Sequence, residues 1–237
     1  MATVTTILWP AGPRLRDPGR GVTRPEPSCI CPLETYMGGV IGKWVFMDKS
    51  SFSSLQTPRL ILRTFRDEDF PSYADYHGRS DVYRFLYASP PRKTALAAQF
   101  AEIVAGSFKE DGDTLRLAVI RRDDDALIGE VLLKIASREA LQAEVGYIFN
   151  PSFSGKGYAT EAVRAMIGLG FDVFGFHRIF ARLDTLNRGS IGIVERLKMR
   201  REAHLIQNDR FNGTWGDEFI YAVLNDEWKT LSQASPE

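Results

Sequence analysis

The segment from Phe153 to Val163 has the residue types and spacing of a phosphate-binding loop. Gly155 and Gly157 allow the backbone to turn and to approach an anion closely, and Lys156 between them adds a positive charge. If a helix follows, its first N–H groups are unpaired and lie at the positive end of its dipole. The segment therefore predicts a pyrophosphate site. By itself it is equally compatible with a glycine turn that only joins a strand to a helix.

Two familiar phosphate-binding motifs do not fit this segment. Tyr158 follows Gly157, so the Gly-Lys-Ser/Thr ending of the P-loop is absent, and the chain contains no Gly-x-Gly-x-x-Gly. The sequence therefore argues against nucleotide hydrolysis and against Rossmann-type dinucleotide binding.

The apolar runs around the loop predict seven strands, two pairs of which form hairpins. The acidic turn Asp123–Ala126 joins the second strand to the third, and Asn212-Gly213 joins the last two. The predicted strands are Arg59–Phe65, Leu115–Ile120, Leu127–Ile135, Ala143–Phe149, Ile179–Thr185, Ala203–Ile206 and Phe219–Leu224.

Four helices are predicted between these strands. One starts at Asp67, and the next carries apolar residues at helical spacing from Leu96 to Phe108 after the cap Thr94. The third follows the loop directly, from Ala159 to Phe174, and has the clearest 3.6-residue repeat. The fourth begins at the cap Asn187. The order βααβββαβαββ is an α+β layout without internal repeats.

One folded domain is predicted over residues 55–228. Residues 1–54 are rich in Pro, Gly, Arg and Ser and show no sustained period, which predicts a poorly ordered extension. Because Met47 stands shortly before the first strand, we hypothesise that residues 1–46 are a start-site artefact. Residues 229–237 are predicted to be a C-terminal tail.

Charge and composition exclude several kinds of partner. The 237 residues include 30 basic and 30 acidic ones, so the chain lacks the positive field that nucleic-acid binding requires. No apolar run is long enough to span a membrane. Cys29 and Cys31 are the only cysteines, and they lack the partners of a metal site. We therefore predict a cytoplasmic protein with reduced thiols and no metal, either a monomer or a homodimer.

Five motifs, in this order along the chain, resemble those of the GNAT acetyltransferases, specifically the RimJ/RimL-like branch that modifies the N-terminal alanine of ribosomal proteins. The similarity covers residues 55 to 228. The motifs are Thr57–Arg63, Glu144–Ile148, Gly155–Ala162, Asn187–Ser190 and Asp217–Tyr221.

The resemblance implies the GNAT fold, a mixed central sheet flanked by helices and splayed between the fourth and fifth predicted strands, with acetyl-CoA in the gap. It implies that the pantetheine amides pair with the backbone near Ile148 and Phe149, and that Asn187 also contacts this arm. The pyrophosphate would bind the backbone of Ser154, Gly155, Lys156, Gly157, Tyr158 and Ala159. The family pattern has Gln or Arg where this chain has Ser154. Since the loop binds mainly through its backbone, this difference lowers the expected affinity for the cofactor more than it affects the assignment of the loop.

The resemblance also implies two catalytic residues. Glu144 is the candidate base that takes the proton of the acceptor amine, and Ser190 is the candidate donor to the departing CoA sulfur. Each residue also has a purely structural interpretation. Glu144 could be a surface carboxylate of its strand, and Asn187 with Ser190 could simply be the first turn of a capped helix.

We therefore predict the transfer of an acetyl group from acetyl-CoA to a primary amine by direct attack in a ternary complex. The acceptor would be a protein N-terminus or a small-molecule amine. One alternative is a catalytically inactive domain that binds acyl-CoA as a sensor or an interaction module. A second is an unrelated α+β binding domain, which would have no affinity for acetyl-CoA.

Overall fold

The computed structural model describes residue 52 and residues 54–234. The predictions for residues 1–51, including the start-site hypothesis and the state of Cys29 and Cys31, lie outside the described residues. Within the described part, no helix is both long and apolar enough to cross a bilayer.

The described residues form one eight-stranded sheet in the order β1-β2-β3-β4-β5-β6-β8-β7. Neighbouring strands are antiparallel except β5 and β6, which run parallel. The strands are β1 (Leu55–Gln56), β2 (Leu60–Thr64), β3 (Thr114–Arg121), β4 (Leu127–Ser137), β5 (Gln142–Phe149), β6 (Arg178–Asp184), β7 (Arg200–Phe211) and β8 (Thr214–Leu224).

Five α-helices connect or follow these strands in the described region. They are α1 (Phe70–His77), α2 (Lys93–Ala105), α3 (Tyr158–Asp172), α4 (Arg188–Arg196) and α5 (Asn225–Ala234). The predicted α+β layout and its order of elements are confirmed. The two-residue strand β1 and the helix α5 were not predicted. β1 is too short to show a period, and α5 has few large apolar residues, Trp228 and Leu231.

Helix α2 corrects one detail of the sequence analysis. The helix begins at Lys93 with Arg92 in the N-cap position, so Thr94 lies inside the helix and is not its cap. Phe108 lies beyond the end of α2 and stacks edge-on against Phe174, with ring centroids 4.9 Å apart. Phe108 therefore fits the helical spacing by coincidence, and it is apolar because it packs into the core from the loop after α2.

The sheet is covered by helices on both faces, and alternate residues of each strand point to opposite faces. Val145 and Tyr147 of β5 belong to the larger apolar cluster, together with residues of α3, α4 and α5. Ile148 points to the other face, where α1 and α2 supply Tyr73 and Phe100 among others. The two faces of the sheet at β5 are thus covered by different helices.

Strands β5 and β6 separate after a short parallel ladder. They pair at Gln142 with Arg178, Ala143 with Ile179 and Glu144 with Phe180, and no pair follows although both strands continue. This gap confirms the predicted splay. The strands are the fifth and sixth of the observed sheet because the short β1 precedes them.

The final hairpin is longer than predicted. Its turn residues Asn212 and Gly213 have φ angles of 49° and 83°, as a two-residue turn with left-handed backbone requires. β7 is one of the two edge strands of the sheet and is largely exposed, so it lacks the apolar alternation that would have revealed its full length.

Candidate functional site

The loop between β5 and α3 has the conformation that an anion site needs. Pro151–Phe153 form a single 3-10 turn, capped by the Asn150 side chain, which accepts from the Ser152 N–H at 3.0 Å. Gly155 and Gly157 follow with φ angles of 77° and 81°, a region that side chains disfavour. Gly157 is the N-cap of α3, so the chain turns from loop to helix at the predicted position.

The first N–H groups of α3 are available to a ligand. In an α-helix the first such groups have no acceptor inside the helix, and the earliest intrahelical bond here joins the Glu161 N–H to the Gly157 carbonyl at 3.1 Å. The predicted binding residues Tyr158 and Ala159, and also Thr160, thus lie in the first turn of α3, before this bond. The Ser154 N–H differs, because it donates to the Pro151 carbonyl at 3.1 Å.

A cleft of about 360 Å³ lies over these N–H groups. Its walls include Phe149 at the end of β5, the loop, and two residues of α4, Ile193 and Arg196. The Arg196 Nε donates to the Thr160 Oγ1 at 3.2 Å, which places a positive charge beside the helix N-terminus. The sequence analysis missed Arg196, because a basic residue in the last turn of a helix is also a normal feature of helix ends.

A hydrogen-bonded clamp holds the loop from the side of β1 and β2. The Glu161 carboxylate accepts from the Thr57 hydroxyl at 2.6 Å, from the Arg59 N–H at 3.0 Å and from the Arg59 Nε at 2.7 Å. Arg59 Nη1 in turn donates to the Lys156 carbonyl at 2.9 Å. Burial disfavours the charged form of Glu161, but these donors outweigh it, and the pKa of Glu161 lies below its ordinary value.

The register of β4 and β5 decides which backbone groups point into the gap. The Asn150 N–H donates to the Ile128 carbonyl at 2.9 Å, so Phe149 and its partner Gly129 form a non-hydrogen-bonded pair. The N–H and C=O groups of Phe149 and Tyr147 therefore point towards the gap, whereas those of Ile148 pair with β4. The backbone of Phe149, one of the two predicted contacts, therefore faces the gap, whereas the other, Ile148, pairs with β4 and its neighbour Tyr147 faces the gap.

Glu144 is not a surface carboxylate, since only 4% of the residue is exposed. Its Oε1 accepts from Arg182 Nε at 3.1 Å and its Oε2 from Arg182 Nη2 at 3.3 Å. Both oxygens of the predicted base are thus engaged by one guanidinium from the strand across the gap.

Asn187 and Ser190 form the buried first turn of α4. The Asn187 Oδ1 accepts from the Ser190 N–H at 3.1 Å, so Asn187 caps the helix as predicted. The Tyr147 hydroxyl donates to the Ser190 carbonyl at 3.3 Å and ties β5 to α4. Because Glu144 and Tyr147 point to opposite faces of β5, Glu144 and Ser190 lie on opposite sides of the sheet at the gap.

A group of carboxyl residues, which the sequence analysis did not single out, lies on the same face as Arg182. Asp184, Asp209 and Glu218, on β6, β7 and β8, are at most 8% exposed. Burial raises the pKa of Glu218 to about 7, and the charge of Asp209 acts in the same direction. One signal was present, because Glu218 stands two residues before Ile220 and four before Ala222, so a carboxylate shares their face of the predicted strand.

Comparisons with known proteins agree with this geometry. A family model described as an acetyltransferase (GNAT) domain matches residues 59–200. The chain is 33% identical to the uncharacterized N-acetyltransferase YnaD of Bacillus subtilis (strain 168) over 73% of its own length and 98% of that protein. It is 25% identical to the [ribosomal protein uS5]-alanine N-acetyltransferase of Escherichia coli (strain K12), over 73% of its length and 92% of that protein.

A similar solved structure is spermidine N-acetyltransferase from Vibrio cholerae in complex with CoA and spermine. The TM-score is 0.64 at 19% sequence identity, over 73% of this chain and 99% of that one. At this identity the likeness concerns the fold.

Proposed function

This chain belongs to the GNAT acetyltransferase family, and from that premise we propose that it moves an acetyl group from acetyl-CoA to a primary amine by direct attack in a ternary complex. Family membership makes the chain an N-acetyltransferase. The cofactor, the acceptor and the roles of single residues are our proposals.

The continuity of the β5–β6 gap with the cleft over α3 supports acetyl-CoA most strongly. Phe149 belongs to both, since its backbone points into the gap and its residue lines the cleft. The pantetheine amides can pair with the backbone groups of β5 that point towards the gap, at Tyr147 and Phe149. The pyrophosphate can bind the N–H groups from Gly155 to Thr160, with Lys156 and Arg196 supplying positive charge.

Ser190 is proposed to donate a hydrogen bond or proton to the CoA sulfur as the thiolate leaves. It lies in the first turn of α4, at the positive end of that helix, where developing negative charge is stabilised. Asn187, which shapes this turn, is proposed to contact the pantetheine arm. The cap itself does not conflict with these roles, because a cap also fixes the position of the hydroxyl.

Glu144 is proposed to act near the reacting amine, although its ion pair limits what it can do. A carboxylate with both oxygens held by Arg182 can remove a proton only after that pair opens. The Glu144–Arg182 pair is therefore better suited to position Arg182 beside the gap than to serve alone as the base.

The acceptor is proposed to be a primary amine carried by a protein N-terminus or by a small molecule. The similarity to the uS5-alanine N-acetyltransferase favours a protein N-terminus. The spermidine N-acetyltransferase, which has the same fold, is named for a small-molecule amine. An N-terminal amine has a reference pKa of about 8, so it needs a weaker base than lysine at about 10.4.

Two measurements test the proposal. Calorimetric titration with acetyl-CoA should show binding at one site per chain, and release of free CoA should accelerate with at least one amine from a panel of peptides, amino acids and polyamines. Tight binding without turnover on any amine would favour the acyl-CoA sensor. Absence of acetyl-CoA binding would refute the proposed cofactor.

A further inference from the structure

The carboxyl group of Glu218 has an unusual environment for a buried charge. The residue is fully buried, and Asp209 beside it is 2% exposed. The two carboxyl groups lie within hydrogen-bonding reach of each other. Asn208 donates from its side-chain amide to the Glu218 Oε2. Two like charges so close together, away from water, cannot both be stable without a compensating cation or proton.

A hydrogen-bond donor is missing at this pair. Within the described part of the chain, the Glu218 Oε1 and the Asp209 Oδ2 are buried and have no donor. Ionised carboxylates only accept, so the two groups cannot satisfy each other until a proton is present. The missing partner is therefore a proton or the N–H groups of a cation.

The charged neighbours do not supply that partner. Arg182, on β6, faces the pair and its charge works against the rise in the pKa of Glu218, but its Nε and Nη2 donate to the two oxygens of Glu144. Asp184, on the same strand, is itself acidic and accepts from the Tyr87 hydroxyl at 2.6 Å. The pair thus lies in a region with an excess of negative charge.

The position of the pair relates it to the acceptor side of the gap. Glu218 is opposite Asp184 in the β6–β8 ladder, at the end of β6 that has already separated from β5. The cofactor cleft is lined by α3 and α4, and Asp184 and Arg182 lie on the opposite face of the sheet. An acceptor that reaches the thioester from that face passes this group of carboxyl residues.

We propose that Asp209 and Glu218 form the subsite that receives the ammonium group of the acceptor and takes its proton. This inference rests on the proposed acetyltransferase reaction and names the base and the acceptor subsite. Tyr87, in the segment between α1 and α2, lies beside the pair, because its hydroxyl donates to Asp184 and its ring packs on the backbone at Gly216, two residues before Glu218. The acceptor reaches the carboxyl groups when it displaces the Tyr87 side chain from Asp184.

The proton balance of the reaction is complete with this pair. An N–H bond of the ammonium breaks, and its proton moves to the doubly ionised pair, which becomes singly charged. The neutral nitrogen attacks the thioester carbon, and the C–S bond breaks. The nitrogen loses its second proton, and the departing thiolate gains one, from the Ser190 hydroxyl, which the nitrogen's proton restores through water. The pair returns its own proton to the solvent.

Substitutions that keep the shape and remove the charge test the proposal. Glu218→Gln and Asp209→Asn should each lower kcat/KM for the best acceptor of the amine panel by about 100-fold. The dissociation constant for acetyl-CoA should stay within about twofold. Glu139→Gln, which removes an exposed carboxylate on the β4–β5 turn, is the matched control and should change neither quantity.

A pH profile separates a base from a structural residue. In the wild type, log kcat/KM should rise through an ionisation near pH 7, and Glu218→Gln should lose that step. Glu218→Asp, which keeps a carboxyl group, should retain part of this pH-dependent step. Unchanged acceptor kinetics and an unchanged profile in both Glu218→Gln and Asp209→Asn would overturn the proposal.

A direct titration works without turnover. In protein labelled with carbon-13 at carboxyl groups, one signal should titrate near pH 7, disappear in Glu218→Gln, and shift when 1-propylamine is added at about pH 8. If acetyl-CoA binds and no amine reacts while this signal behaves as expected, the proposed function fails and the cation subsite stands. A signal that neither titrates near neutral pH nor responds to 1-propylamine contradicts the subsite itself.

Discussion

At the scale of single residues, Ser190 and Asn187 show how one turn of helix can serve both structure and chemistry. Asn187 satisfies the N–H of Ser190, and the Tyr147 hydroxyl bonds to the Ser190 carbonyl. The backbone at Ser190 is therefore fixed by two contacts that do not involve its hydroxyl. A substitution of the hydroxyl alone leaves this scaffold in place.

We therefore expect Ser190→Ala to lower kcat by about 100-fold while the affinity for acetyl-CoA stays nearly constant. Steady-state kinetics and calorimetry on the same preparation measure both quantities. Ser190→Thr, which keeps a hydroxyl, should retain more activity than Ser190→Ala. Unchanged kcat in Ser190→Ala would remove the residue from the mechanism.

Glu218 also makes a prediction about stability. Its pKa is raised to about 7 in the folded protein from an ordinary value of 4.5, so the folded state binds the proton more tightly than the unfolded chain does. This contribution to stability is fully present below about pH 4.5 and is lost as the pH rises through about 7.

Relative to the wild type, Glu218→Gln should therefore gain stability as the pH rises from about 5 to about 8. The relative gain should be about 1 to 3 kcal/mol of unfolding free energy. Urea denaturation of both proteins at the two pH values gives the difference. If the two proteins show the same pH dependence, the Glu218 carboxyl is not the group that titrates near neutral pH.

At the scale of elements, the loop before α3 depends on two different devices. The glycines let the backbone adopt left-handed angles, and the clamp from Thr57 and Arg59 to Glu161 holds the loop against β1 and β2. The first device determines the shape of the anion site. The second keeps that shape before the ligand arrives, which reduces the cost of ordering on binding.

Gly157→Ala tests the first device. Alanine at a φ of 81° should cost about 1 kcal/mol of stability and should misplace the N–H groups that bind the pyrophosphate. Gly213→Ala is a matched control, because its φ of 83° imposes the same strain in a hairpin distant in sequence from the loop. Both variants should lose similar stability, and only Gly157→Ala should bind CoA more weakly in calorimetry.

Arg59→Lys tests the clamp. Lysine keeps the charge but cannot donate to the Glu161 carboxylate and the Lys156 carbonyl at the same time with the geometry of a guanidinium. We expect the dissociation constant for CoA to rise about tenfold, the effect of losing one or two hydrogen bonds, with little change in kcat. Arg79→Lys, in an exposed ion pair with Asp81, should leave CoA binding unchanged.

At the scale of the whole molecule, the fold joins the two sides of the site through one gap in one sheet. Helices α3 and α4 line the side of the proposed cofactor cleft, and the opposite face of the sheet carries the acidic residues of β6, β7 and β8. Helix α5 closes the molecule by packing Trp228 against Phe171 of α3, with ring centroids 6.2 Å apart. It runs through the boundary at residue 228 between the predicted domain and its tail.

Trp228→Ala should therefore destabilise the whole protein. Trp228 is 5% exposed, and removal of such a side chain from a core costs about 3 to 5 kcal/mol. Trp215→Ala, at a residue that is 54% exposed, should change the unfolding free energy by no more than about 0.5 kcal/mol. Urea denaturation of the two variants measures the difference, and equal losses would show that α5 does not stabilise the core.

The sequence by itself determined the features that depend on residues close together in the chain. The loop at Gly155 and Gly157, the cap at Asn187 and the turn at Asn212 follow from local backbone preferences, which neighbouring residues already express. Motifs in a fixed order added the family and its fold. These features could be read because a helix, a cap or a turn needs few distant contacts.

Only the tertiary structure decided which side chains meet across the sheet. The pair of Glu144 with Arg182 joins residues 38 positions apart, and the contact of Tyr87 with Asp184 joins residues 97 positions apart. Such contacts depend on strand register, because a shift of one residue would turn each side chain to the opposite face. For that reason the sequence predicted a catalytic base at Glu144 but could not reveal that Arg182 donates to both of its carboxylate oxygens. Nor could it reveal that Glu218 lies beside Asp209.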